Sequence, residues 1–243
     1  MKLGNDKLHL QLEISQVQFS YVYIRKNACS SWKKLFVNES LHREKAKEFN
    51  NPINFMSKYH KIKNTNELEL LENRIVILRD PIERLYSGFI NQFISRLNKN
   101  RYGVMHEEVG SFLEKPVEEV TFDEFIKQYI LKSGEGVNVH FVHQVSHLAN
   151  VEYNKKWMLN DLYNESESLF GKSIADKYFK KKLNSTQKIE KIKGDYKFVP
   201  AAKIYELYSE RGAVPSLDSL IDDDIFDILK EYYEKDYSFI ANK

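Results

Sequence analysis

Residues 17–24 read VQFSYVYI, a run of β-branched and aromatic residues that predicts a strand. The polar turn RKNACSS follows, and beyond it Trp32, Leu35, Phe36 and Leu41 fall near helical spacing, so a helix opens near Ser30 or Ser31. A second short apolar run, RIVILRD at 74–80, has the character of a buried parallel strand. It leads into DPIERLYSGFINQFISRL, where Asp80 suits the N-cap, Pro81 the first helical position and Glu83 the third. Ile82, Leu85, Tyr86, Phe89, Phe93 and Leu97 then trace one apolar stripe at i, i+3, i+4, i+7 spacing.

Thr121 and Glu124 repeat the capping box ahead of another helix, whose inner face is Phe122, Phe125, Ile126 and Tyr129. Near the end, Ile225, Ile228, Leu229, Tyr232 and Tyr233 mark a further amphipathic helix. Strand–turn–helix units early and helices later predict an α/β protein. Residues 43–70 and 98–120 are polar and irregular, as expected of excursions or lids. No internal repeat or linker divides the chain, so 1–243 is expected to form a single domain.

The 243 residues and a hydrophobic fraction of 42% are enough for one substantial core. Net charge is only +2, from 37 basic and 35 acidic residues, so no bulk polycation points to duplex nucleic acid and any anion binding must be local. Cys29 is the only cysteine, which excludes intramolecular disulfides and cysteine-based zinc sites. The N-terminus lacks the apolar core of a signal peptide, and no stretch approaches the roughly 20 apolar residues that cross a bilayer. A cytoplasmic location, or origin as the soluble part of an anchored protein, is the expectation.

The turn at 25–31 has no glycine and so is not a Walker loop. It nevertheless places Lys26, Ser30 and Ser31 where a helix N-terminus aims its N–H groups and the positive end of its dipole back at a strand end. Ala28 and Cys29 are small enough to let a ligand approach the backbone. A plain helix start explains the serines equally well, since serine is a common N-cap. The second turn adds Arg79 at a strand end and Ser87 on the face opposite much of the apolar stripe. Arg84, taken alone, reads as a solvated residue pairing with Glu83 or a neighbour. Two such strand ends would let one phosphate-rich ligand span the C-terminal edge of a sheet.

IRKNACSSWKKLF resembles the 5′-phosphosulfate loop of the Golgi-type carbohydrate sulfotransferases, the branch that includes the chondroitin 4-O- and HNK-1 sulfotransferases. Their pattern runs roughly P-K-V/T-A/G-C-T/S-N/S-W-K/R. VILRDPIERLYSGF is similar to the 3′-phosphate segment of that family, VTFDEFIKQYI to its S-F-x-E-F helix, and VNVHFVHQVSHL to its D-x-H-W-x-P-Q segment. KKLNST and YYEKDYSFI are weaker likenesses to a late N-x-S/T element and a closing Y-x-x-D motif.

The resemblance implies a three-layer α/β/α P-loop-like fold with a central parallel sheet and a mostly helical C-terminal half. It implies 3′-phosphoadenosine-5′-phosphosulfate (PAPS) as sulfuryl donor, released as PAP, and a carbohydrate hydroxyl as acceptor. Arg25, Lys26, Asn27, Ala28, Cys29, Ser30, Ser31, Trp32 and Lys33 would form the donor loop, Arg79 and Ser87 would hold the 3′-phosphate, and Asn184 and Ser185 would approach the donor. Arg25 stands where the family has proline, Phe141 where it has tryptophan and His143 where it has its second proline. The stretch VEYNKKWMLNDLY does not match the family's glutamate-bearing strand. Without anchor or disulfides the chain is expected to be a soluble, bacterial-type member.

Within this frame Lys26 stabilises the departing phosphate oxygen and His140 takes the acceptor's proton, as an imidazole with an ordinary pKa of about 6.5 can. No metal is needed. His140, His143 and His147 have ligand-like i, i+3, i+7 spacing if they lie on a helix, but no H-E-x-x-H motif accompanies them. The lysine-rich stretch 177–193 reads first as a solvated helix face, then as a cover for the nucleotide or a lure for an acidic glycan. Last, Tyr178 and Phe179 could stack on bases. A nucleotide-triphosphate-dependent kinase and a non-catalytic module for anionic glycans or nucleic acid are the alternatives. The missing Walker glycines and the lack of a magnesium-binding aspartate motif argue against the kinase.

Overall fold

The computed structural model describes residues 2–4, 7–97, 103–181 and 189–242. The chain opens with strands β1 (His9–Ile14) and β2 (Val17–Val22), then helices α1 (Cys29–Glu39), α2 (Pro52–His60) and α3 (Thr65–Glu69), and strand β3 (Asn73–Leu78). Helices α4 (Pro81–Gly88), α5 (Val104–Leu113) and α6 (Phe122–Glu124) follow, then β4 (Lys155–Met158), α7 (Leu162–Phe170) and α8 (Lys172–Tyr178). Strand β5 (Glu190–Ile192), helix α9 (Ala201–Arg211), strand β6 (Ala213–Pro215) and helices α10 (Asp223–Tyr232) and α11 (Glu234–Ala241) complete it.

Two compact units divide the chain: Met1–Arg79 with Gln144–Asn184 and Phe239–Lys243, and Asp80–His143 with Ser185–Ser238. The first holds a four-stranded sheet of order β1-β2-β3-β4. β2, β3 and β4 are parallel, with Tyr21 opposite Ile75 and Leu78 opposite Met158. β1 runs antiparallel to β2, so the sheet is mixed rather than the parallel one expected. The reason is local. Ser15 and Gln16, at φ 51° and 68°, supply the two left-handed positions of a tight hairpin turn without glycine, and Ile14 pairs directly with Val17.

Alternation along the strands sorts the core into two faces. Phe19, Tyr21, Ile75, Ile77 and Trp157 point toward α1, α2, α7 and α8, where they meet Trp32, Leu35, Phe36, Phe55 and Phe170. Val22, Ile24, Val76 and Leu78 point the other way, against Leu148, Tyr153, Phe239 and Ile240. Leu41, expected on the buried stripe of α1, lies beyond the helix and is 99% exposed. Residues 43–70 fold into a 3-10 turn and α2 and α3, each of the two helices capped by an asparagine, rather than into an irregular lid.

The second unit is helical around its own core, with a small parallel sheet of β5 and β6. Asp80 caps α4 through the Glu83 N–H, and Thr121 and Glu124 close both bonds of the predicted capping box. Each of these helices then widens into a π-helix, at Phe89–Ile94 and Phe125–Ile130. The wider turn brings rings four residues apart together, with Phe89–Phe93 and Phe125–Tyr129 centroids 5.5 and 5.4 Å apart. Within 98–120, a stretch without pattern in the sequence, α5 buries Met105, His106 and Val109.

Gly88 shows how closely this core is packed. A Cβ added there would sit 2.6 Å from Cε1 of the buried Phe141 ring. Gly88→Ala is expected to cost about 1–3 kcal/mol, read as a lower urea midpoint; an unchanged midpoint would show that the ring moves aside freely.

His9 lies buried in the first unit, its Nε2 2.6 Å from the Tyr153 hydroxyl, which accepts from the Ala149 N–H. Burial lowers its pKa to about 4. A histidine depressed in the fold contributes stability that is complete above its unfolded value of about 6.5 and is lost as pH falls toward 4. Acidification through that window should therefore remove about 3 kcal/mol from this source. Urea titrations at stepped pH should show a shallower loss in His9→Gln than in the wild type; parallel curves would refute the assignment.

Candidate functional site

The turn between β2 and α1 must end a buried strand, reverse the chain and start a helix within a few residues. Lys26 and Ala28 do this at φ 72° and 57°, left-handed positions that glycine normally takes. The side chain of Asn27, fully buried, secures the turn by donating from Nδ2 to the Ile77 carbonyl of β3 at 2.7 Å. Helix α1 then starts at Cys29 with Ala28 as its N-cap, so no side-chain oxygen caps it, and no acidic residue lies in its first turn. The expected serine cap is replaced by one that leaves the helix's positive end to its surroundings.

Ser30 is half-buried and Ser31 buried within that first turn. Arg25, Cys29 and Lys33 are half-buried. Trp32 belongs to the core: it is fully buried, stacks on Tyr21 with centroids 4.4 Å apart and meets Phe179 at 5.1 Å. It therefore anchors the turn from behind instead of lining it. Burial pushes the pKa of the Tyr23 hydroxyl up, and the neighbouring Cys29 thiol adds to it.

Arg79 follows the last residue of β3, the strand that pairs in parallel with β2. Its Nη1 approaches the Lys26 carbonyl at 3.5 Å, near the limit of hydrogen bonding, so the two strand ends meet at one edge of the sheet. Gln144, also fully buried, binds both turns: its Oε1 accepts from Asn27 Nδ2 at 2.6 Å and from the Arg79 N–H at 3.1 Å. Its Nε2 donates to the Arg79 carbonyl at 2.9 Å. Gln144 was visible in the sequence only as the last letter of the VNVHFVHQ likeness, with nothing local to mark it.

Residues 25–33 and Arg79 thus come together within the first unit. Ser87 and His140 belong to the second unit. Ser87 is buried on α4, and His140 sits in a turn where its N–H donates to Asn138 Oδ1 at 3.2 Å. Asn184 and Ser185 lie outside the described residues.

Arg84, expected in solvent, is 1% exposed and donates from Nη1 to the Val142 carbonyl at 2.7 Å; a guanidinium on an otherwise buried helix must find such a partner. His143 and His147 do not share a helical face, because only Gln144–His147 forms a short 3-10 turn. The His143 ring packs against Tyr232 and Tyr233 at 4.9 and 5.3 Å, and burial lowers its pKa against the pull of Asp236. Among the described residues no group of three or more His, Cys, Asp or Glu side chains could hold a metal ion. Tyr178 and Phe179 are buried in the first core, which removes the base-stacking surface that the sequence suggested.

A family profile described as "Sulfotransferase family" matches residues 15–239. The chain belongs to the sulfotransferase family. Among curated proteins this sulfotransferase is similar to carbohydrate sulfotransferase 11 of Rattus norvegicus, 24% identical over 170 residues that cover 61% of this chain and 48% of the relative. It is also similar to carbohydrate sulfotransferase 14 of Mus musculus, 27% identical over 143 residues that cover 51% of this chain and 35% of the relative. The sulfotransferase thus spans about half, or less, of the length of these relatives. No solved structure matches it. No helix among its described residues is long and apolar enough to cross a membrane.

The left-handed turn gives a direct test. Ala28→Gly should hold or raise the melting temperature, because glycine takes φ 57° without a Cβ penalty. Ala28→Val should lower it by several degrees, since a β-branched residue is strained there. Equal melting temperatures for the two variants would mean that the turn is not held left-handed in solution.

Proposed function

We propose that this sulfotransferase moves a sulfuryl group from PAPS to a hydroxyl of a carbohydrate, by in-line displacement in a P-loop-like nucleotide-binding fold. The observation that carries the reading is the meeting of the Lys26 and Arg79 strand ends beside the uncapped start of α1. Lys26, Arg79, the Ser30 and Ser31 hydroxyls and the first-turn amides are all hydrogen-bond donors, and two of them are full cations. That donor set fits a phosphate-rich nucleotide, whose oxygens are all acceptors, and would repel a cationic or donor-rich ligand. The names of the relatives add carbohydrate as the class of acceptor.

Bound PAPS supplies the sulfuryl group and leaves as PAP. The residues of the chain then have separate tasks. Lys26 places its ammonium against the oxygen on which negative charge grows, an interaction stronger in the transition state than in the ground state. The turn at Ala28 and Cys29 presents backbone N–H groups to the 5′ side, with Arg25 and Lys33 adding positive charge. Arg79 holds the 3′-phosphate, and a guanidinium suits that task because its fork matches phosphate oxygens in pairs. His140 accepts the proton of the attacking hydroxyl.

A thermal-shift panel separates this reading from its rivals. Stabilisation by adenosine 3′,5′-bisphosphate without magnesium is expected; stabilisation only by ATP with magnesium would favour a kinase, and only by polyanions a non-catalytic binder. With labelled PAPS and a panel of saccharides, Lys26→Ala and His140→Ala should each lower turnover by about 10²-fold or more at saturating donor. Near wild-type turnover in a folded variant would remove that residue from its role.

A further inference from the structure

We infer that Gln144 is the positioning residue that sets the two halves of the donor site in register, an inference that rests on the donor reading above. Strand β3 has a partner in β4 only as far as Leu78, whose carbonyl accepts from the Leu159 N–H at 2.7 Å. Arg79 lies one residue beyond, where the ladder has ended. The Gln144 amide takes the place of the missing neighbour: it accepts the Arg79 N–H at 3.1 Å and donates to the Arg79 carbonyl at 2.9 Å, as a paired peptide group does. The backbone from which the Arg79 guanidinium extends is thereby held as firmly as a strand.

The same Oε1 also accepts from Asn27 Nδ2 at 2.6 Å, and that nitrogen in turn donates to the Ile77 carbonyl. One buried amide thus ties the left-handed turn that presents Lys26 to the strand end that presents Arg79. The chemistry demands an amide. A carboxylate at this position keeps both acceptor bonds but cannot donate to the Arg79 carbonyl, and it adds a negative charge close to an anion site. Methionine keeps the length and apolar bulk and loses the bonds to Asn27 and Arg79. Asparagine is one methylene too short to keep both contacts.

The test is the dissociation constant for adenosine 3′,5′-bisphosphate, by calorimetry on the full chain, beside donor and acceptor KM values. Gln144→Met is expected to weaken the bisphosphate about tenfold or more and to raise the donor KM in parallel, leaving the acceptor KM unchanged. A purely structural glutamine would lower the melting temperature while the folded fraction bound with wild-type affinity. Gln144→Glu is the second variant, and it carries the test if the methionine variant does not fold. Its affinity should fall at neutral pH and recover toward wild type as the pH is lowered, because a protonated carboxyl both accepts and donates as the amide does. Binding within about twofold of wild type in the folded variant overturns the inference. If the wild-type protein fails to bind the bisphosphate, the donor reading itself fails, and that result is distinct.

Discussion

Asn27 holds this site together: its buried side chain reaches across to the Ile77 carbonyl and to Gln144, and so fixes a glycine-free turn in a left-handed shape. A chain leaving a buried strand ordinarily reverses into a helix with glycine, which pays no Cβ penalty at positive φ. Here Lys26 and Ala28 carry that penalty, on the order of 1–2 kcal/mol each, and surrounding bonds must over-determine the turn for it to persist. The core supplies the rest. Trp32 stacked on Tyr21 pins the first turn of α1 from the inner face, so the helix cannot slide away from the strand that feeds it.

The consequence is an edge at which two cations are gathered. Parallel pairing of β2 with β3 sets their ends side by side, and each end carries a cation followed by a chain reversal. Lys26 and Arg79 thereby place two formal positive charges at one edge of the sheet. Strain and like charge are tolerated because the sheet beneath them is closely packed: Val76, Ile77 and Leu78 are essentially fully buried.

Much of this was legible in the chain, and the parts that were not share a cause. Caps are local chemistry, so Asp80 with Glu83 and Thr121 with Glu124 could be read directly, as could the two strands that precede the turns. Long-range partners leave no periodic trace. Gln144 lies 117 residues from Asn27 and 65 from Arg79, and nothing in its neighbourhood in the sequence marks it as the group joining them. Arg84 looked like a surface residue because its carbonyl partner, Val142, is 58 residues away. The hairpin before β2 leaves little trace because Ser15-Gln16 is a poor spelling of a turn that asparagine and glycine usually make. Trp32 reads as a ligand contact in the sequence because a motif position does not say which face of a helix it occupies.

The division of roles between turn and support follows from these distances. Residues able to meet a ligand cluster in short, contiguous stretches, since a helix N-terminus delivers amides, hydroxyls and charge within one turn. Residues that hold those stretches in place come from wherever the fold returns to them, and Asn27 and Gln144 are both buried and neutral. A neutral amide is the right chemistry for such a support: it can bind a peptide N–H and a carbonyl at once without adding charge beside the cations it organises. Gln144, which accepts from the Arg79 N–H and Asn27 Nδ2 and donates to the Arg79 carbonyl in a fully buried position, meets each of those requirements.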